Sequence, residues 1–220
     1  MDGTFSIVGR DPRAQALGIA VATGAAAVGM RVPHAALHIG AIATQARTDA
    51  TYGSIGLRLL ELGFRPTEVL DALLWRDPDH NHRQVAVLDS AGRAAVHTGA
   101  KVPPEAAECV GRDCVVIGNT LVRPQVVEDM LRAFEAGEGE ELADRLLNAL
   151  RAGQAAGGDR RGAASAALLV VDPRQITARI GPYVDLRVDA GEDPVAELAH
   201  ILARYREWRA GFLEGNEQRE

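Results

Sequence analysis

The chain has 220 residues, 47% of them hydrophobic but only 4% aromatic, so a sizeable core has to be built from Ala, Val, Leu and Ile. Its net charge is −6 with no block of like charge, which argues against nucleic acid or an anionic membrane as a partner. No stretch approaches the roughly 18 apolar residues of a membrane span, no signal peptide is visible, and two cysteines (Cys109 and Cys114) make no secreted disulfide framework, so a cytoplasmic protein is expected.

Thr4 to Gly9 (TFSIVG) alternates and reads as a strand. Asp11 to Gln15 (DPRAQ) is a turn, and the apolar run Ala16 to Thr23 (ALGIAVAT) returns beside the first strand as a hairpin. Ala36 to Gln45 (ALHIGAIATQ) is expected as one further strand. The period then becomes helical through Ile55, Leu59, Leu60, Leu62, Val69, Leu70, Leu73 and Leu74, with Gly63 and Pro66 dividing two helices.

Strands are expected over Gln84–Leu88, Ala94–His97 and Cys114–Ile117, then helices over Pro124–Glu135 and Glu140–Ala152. After the glycine-rich GQAAGGDRRG (Gly153 to Gly162) come strands at Ala163–Val171 and Tyr183–Val188, and a last helix at Pro194–Trp208. Strands in batches separated by helix pairs fit an α+β class: a four-layer αββα sandwich of two stacked, mainly antiparallel sheets flanked by helices. Residues 4–212 form the expected single domain, between a leader at 1–3 and a polar tail at 213–220. A three-layer α/β fold competes, but the early hairpin and the absent βαβ rhythm disfavour it.

TFSIV at Thr4, AVG at Ala27, GAIATQ at Gly40, HRQVAVLDSAGR at His82, HTGA at His97, GNTL at Gly118, the run from Gly153 to Val171 and YVDLRVD at Tyr183 together resemble one family, domain of unknown function 1028. The resemblance runs in order from Thr4 to the helix after Pro194. It implies a place among the N-terminal-nucleophile (Ntn) hydrolases, an αββα fold and an amide hydrolase, and it names no substrate. A second resemblance is mechanistic. Threonine-type asparaginases and isoaspartyl peptidases of that superfamily cleave themselves at a Gly-Thr junction. Gly3-Thr4, Asp11 and AVATG (Ala20 to Gly24) are similar in order to their motifs.

A threonine hydroxyl is a poor nucleophile near neutrality and needs a base. A free α-amine, with a pKa of about 8, can be that base, whereas a peptide nitrogen cannot. Attack of the Thr4 hydroxyl on the Gly3 carbonyl would release the leader and free that amine. Thr4 is the expected nucleophile, with Ser6, on the same strand face, as the fallback. Thr23, at the end of the partner strand, is expected to orient it. Asn119 is the expected oxyanion donor, with the backbone of Gly157 and Gly158 as an alternative. Within the matching blocks Gln45, Arg83, Asp159, Ser165 and Arg187 are expected to contact substrate, and Arg161 is a further arginine for an anionic group.

Lysine-assisted catalysis is not expected. Relatives carry a lysine where this chain has Gly24, and Lys101 is its only lysine. His34 and His38, and the His80-Asn81-His82 triplet, lack the helical spacing of a metal site, so neither metal nor cofactor is expected. The expected partner is a small-molecule amide or short peptide, and Trp208 and Phe212 suggest a homo-oligomer contact. The rival reading is a binding or structural protein that keeps the fold without turnover.

Overall fold

The computed structural model describes residues 3–175 and 183–217, with side chains as far as Phe212. Met1, Asp2 and residues 218–220, parts of the expected leader and tail, lie outside the described residues.

β1 (Thr4–Asp11) and β2 (Ala16–Thr23) form the expected hairpin. Its turn is closed by the Asp11 carboxylate, which accepts the Arg13 and Ala14 N–H groups at 2.9 and 3.3 Å. β3 (Pro33–Ala36) and β4 (Gly40–Ala46) follow, then α1 (Thr51–Glu61) and α2 (Pro66–Arg76). Gly63 ends the first of these helices at a φ of +93°, and Pro66 opens the second. The chain continues through β5 (Arg83–Asp89), β6 (Ala94–Thr98), β7 (Ala107–Gly111), β8 (Cys114–Asn119), α3 (Gln125–Ala136), α4 (Leu142–Ala155), β9 (Ser165–Val171), β10 (Val184–Val188) and α5 (Pro194–Glu217).

One sheet has the order β10-β9-β2-β1-β8-β7 and the other β3-β4-β5-β6, and the paired strands are antiparallel. Alternation along each strand sorts side chains between two faces. Phe5 and Ile7 of β1, with Ala20, Ala22, Val116 and Leu168, pack against Met130, Phe134, Leu146 and Leu150 of α3 and α4. Val8, Leu17, Ile19, Val21, Val115 and Ile117 instead meet Ala41, Ala43, Ala86 and Leu88 of the second sheet. The outer face of that sheet, with Ile42, Val85 and Val87, is covered by Tyr52, Leu60, Val69 and Leu73 of α1 and α2. Helices, sheet, sheet, helices: these are the expected four layers.

Three elements differ from expectation. The run Ala36–Gln45 is not one strand, because the chain reverses at Leu37-His38-Ile39, with His38 at a φ of +62°. Gly40 is needed after that turn, since a Cβ there would lie 2.6 Å from Leu60 Cδ1 and 2.7 Å from the Leu88 carbonyl oxygen. β7 was not expected; it is an edge strand with partly exposed side chains that pairs with β8 around Arg112-Asp113. α5 runs past Trp208 to Glu217, into the segment expected as a tail. No helix among the described residues is long and apolar enough to cross a membrane.

Candidate active site

β1 is paired on both sides. Thr4 therefore stands opposite Thr23 of β2 and Asn119 of β8, and Thr23 stands opposite Ser165 of β9. Asn119, Thr4, Thr23 and Ser165 thus form one row across four adjacent strands, on the face turned to the second sheet, and all are buried. The sequence creates this row by ending β2 and β8, and beginning β1 and β9, with a polar residue in each inward-facing position.

The hydroxyls of this row are ordered. Thr4 donates to the Thr23 hydroxyl at 3.2 Å, and Thr23 donates to the carbonyl oxygen of Gly3, the residue joined to Thr4. The same Gly3 oxygen accepts a second bond from Arg161 Nη2 at 3.1 Å. The peptide bond between Gly3 and Thr4 therefore has its oxygen between a hydroxyl and a guanidinium.

Arg161 is positioned by Asp159. Its Nη2 and Nε reach the two carboxylate oxygens at 2.6 and 3.1 Å, and its backbone N–H bonds Asp159 Oδ1 at 3.0 Å. Asp159 Oδ2 also accepts the Gly24 N–H at 2.7 Å, so this fully buried carboxylate ties the β9 side of the site to the end of β2. The chain is delivered there by the end of α4. The N–H of Gly157 bonds the Gln154 carbonyl and that of Gly158 bonds the Gly153 carbonyl, at φ values of +113° and +52° that favour glycine. Both N–H groups, the alternative oxyanion donors, are used within this turn. Beside Asp159 opens a surface hollow of about 270 Å³, bordered by Gln154, Gly157, Gly158 and Glu192.

A second set of bonds ties the two sheets together beneath Thr4. Ser6 donates to Gln45 Oε1 at 2.5 Å, and Gln45 Nε2 donates to the Thr4 carbonyl at 3.2 Å and to Gln84 Oε1 at 2.8 Å. Gln84 Nε2 reaches the Gly118 carbonyl and the Thr98 hydroxyl, each at 3.0 Å. Asn119 Nδ2 donates to Gln84 Oε1 at 3.1 Å. Asn119 thus gives its N–H to this bridge, while the Gly3 oxygen takes its bonds from Thr23 and Arg161.

Thr4, Ser6, Thr23, Gln45, Asn119 and Asp159 therefore converge. Ser165 belongs to the row but works on the loop after β2: its hydroxyl donates to the Ala25 carbonyl at 2.6 Å and accepts the Val28 N–H at 3.1 Å. Arg83 and Arg187 do not reach the site. Arg83 donates to Asp77 at 2.7 Å and to the Arg47 carbonyl, beneath the α1–α2 layer. There the Arg83 guanidinium holds the Asp77 carboxyl down to about 2, and burial pushes the Tyr52 phenol up. Arg187 pairs with Asp189 at 3.1 Å on the surface and packs over Gly29. Gln84 is the residue that sequence reasoning missed. Its signal was a carboxamide at the head of an otherwise apolar, buried strand. Among the described residues no group of three or more His, Cys, Asp or Glu could hold a metal ion.

The model of a family of unknown function, DUF1028, matches residues 4–198. Protein SPO2555 from Silicibacter pomeroyi, a DUF1028 protein of known crystal structure, is 32% identical to this chain, with a TM-score of 0.85 and coverage of 94% of this chain and 90% of that one. No curated protein matches the chain.

Proposed function

The chain belongs to DUF1028, a family of unknown function, and we propose that it is an N-terminal-nucleophile amide hydrolase that acts on a small amide or short peptide through Thr4, once the Gly3–Thr4 bond is cut. One observation carries this reading: Thr4 donates to Thr23, and Thr23 to the carbonyl oxygen of the bond that would be cut.

The order of those bonds supplies a path for the proton. As Thr4 Oγ adds to the Gly3 carbonyl carbon, its proton passes to Thr23 Oγ, and the Thr23 proton passes to the Gly3 oxygen. Arg161 stabilises the charge that develops on that oxygen. Breaking the C–N bond, with a proton returned to the Thr4 nitrogen, leaves an ester on Thr4 Oγ. Water hydrolyses it, and the leader departs with a Gly3 carboxylate. Thr4 then carries its own amine beside its hydroxyl, and that amine serves as its base. Lys101, the sole lysine, lies exposed in the loop after β6.

In the processed protein the donors that held the Gly3 oxygen are placed to take the oxygen of a substrate carbonyl. The Gln45–Gln84 bridge fixes the Thr4 backbone while the hydroxyl reacts. The reading takes the protein as cytoplasmic, in keeping with its two unbridged cysteines. It also takes it as a homo-oligomer, with Trp208, 55% exposed, as the contact.

Intact mass and N-terminal residue, followed during incubation of the purified chain, test this. The expected product begins at Thr4 and hydrolyses simple amides, while Thr4→Ala stays uncut. A parent chain that remains joined to Gly3 indefinitely would remove the nucleophile's base and end the reading. A binding or structural protein without turnover is the second reading, favoured by the closure of the Ser6–Gln45–Gln84–Asn119 bonds upon themselves. Failure of a threonine-reactive electrophile to label Thr4 would support it.

A further inference from the structure

We infer that the site selects acyl groups whose α-carbon is an unsubstituted methylene, as in glycyl amides; this rests on the proposed use of Thr4 as the nucleophile. The observation is the space at Gly3. A Cβ built on Gly3 would lie 2.6 Å from Asp159 Oδ1 and 2.7 Å from both Cγ and Oδ2.

An obstructing carboxylate at the end of a mobile side chain would turn aside. Asp159 is held against that. Oδ2 accepts the Gly24 N–H at 2.7 Å and Arg161 Nη2 at 2.6 Å, and Oδ1 accepts the Arg161 backbone N–H and Nε at 3.0 and 3.1 Å. Its side chain is fully buried. Rotating it would strip four bonds from a buried charge.

The same Arg161 both braces Asp159 and bonds the Gly3 oxygen. The carbonyl site and the steric wall are therefore one rigid unit. Self-cleavage and turnover share one intermediate, an ester on Thr4 Oγ beside a free amine. An ester carbonyl that keeps its bonds to Thr23 and Arg161 holds its acyl α-carbon on the Gly3 side, against Asp159. A methylene fits, and an L-side chain does not. An alanyl group can bind only with its carbonyl displaced, and displacement of about 1 Å costs on the order of 100-fold in rate.

Ammonia release by the processed protein from N-acetylglycinamide and from N-acetyl-L-alaninamide tests this, with Thr4→Ala as the blank. The expected result is turnover of the glycine amide at least about 100-fold faster. Equal or faster Thr4-dependent turnover of the alanine amide overturns the inference and leaves the nucleophile intact. Absence of Thr4-dependent turnover of either amide overturns both. In the full chain, Gly3→Ala is expected to slow self-cleavage by a similar factor while circular dichroism shows the strands and helices retained. Cleavage of Gly3→Ala at the parent rate counts against the wall.

Discussion

Thr4 and Thr23 face each other across β1 and β2, and the Thr23 hydroxyl stands between the Thr4 hydroxyl and the carbonyl of the peptide bond that precedes Thr4. In the proposed cleavage a single side chain thus touches both the attacking atom and the oxygen that accepts charge. Thr23→Val keeps the shape and removes the oxygen. It is expected to abolish appearance of a chain beginning at Thr4, as read by intact mass, whereas Thr23→Ser retains cleavage. The stability cost of the valine variant is about 1–2 kcal/mol, since the Gly3 oxygen keeps its Arg161 bond. Normal cleavage by the valine variant would mean that Thr23 carries no proton.

Gln84 joins the two sheets. Gln84→Leu leaves the Asn119 Nδ2 group without its acceptor and the Gly118 carbonyl without the Gln84 bond. The expected loss is about 2–4 kcal/mol in urea unfolding, because several buried polar groups lose partners together. Thr98→Val, which removes only one bond of Gln84, should cost about 1 kcal/mol. Equal losses in the two variants would show that the bridge does not act as a unit.

Asp77 gives a pH signature remote from the site. Its carboxyl is lowered to about 2, chiefly by the Arg83 hydrogen bond, against an unfolded value near 3.9. A lowered folded value stabilises the protein above the unfolded pKa, and that stability is lost as pH falls through the folded one. Asp77→Asn is expected to cost about 3 kcal/mol at pH 7, because buried Arg83 loses its counter-charge. The gap between variant and parent should narrow as pH falls from about 4 toward about 2. A gap constant with pH would assign the loss to packing.

α1 rests on β3 where Gly53 meets His34. A Cβ at Gly53 would lie 2.1 Å from the His34 ring. In an exposed helix, glycine to alanine gains about 1 kcal/mol, but forcing a ring out of a packed site costs about 1–3 kcal/mol or more. Gly53→Ala is therefore expected to lower the melting temperature. A higher one would show that His34 turns away without cost.

The layer order was readable because each apolar run carries its own period and each helix pair its own punctuation, such as Gly63 and Pro66. The β3–β4 reversal was hidden because Leu37-His38-Ile39 holds neither Gly nor Pro at the turn. β7 was hidden because its half-exposed residues bury no continuous face. Thr4, Thr23 and Asn119 could be named because they end or begin apolar strands, and the turn length after β1 puts Thr23 opposite Thr4. Gln84 could not be placed, since its bonds cross between sheets, and stacking leaves no spacing in the chain. For Asn119, nearness to Thr4 follows from register, but the Gln84 partner in the opposite sheet does not.

The register of β1 has one more consequence. Every ladder pair of that strand, beginning with Thr4 against Thr23 and Asn119, lies on the C-terminal side of the Gly3–Thr4 bond. Scission there severs no strand and opens no sheet edge. Thr23 and Arg161 bind the Gly3 oxygen across the cut. The proposed cut would therefore leave every ladder of the six-stranded sheet in place.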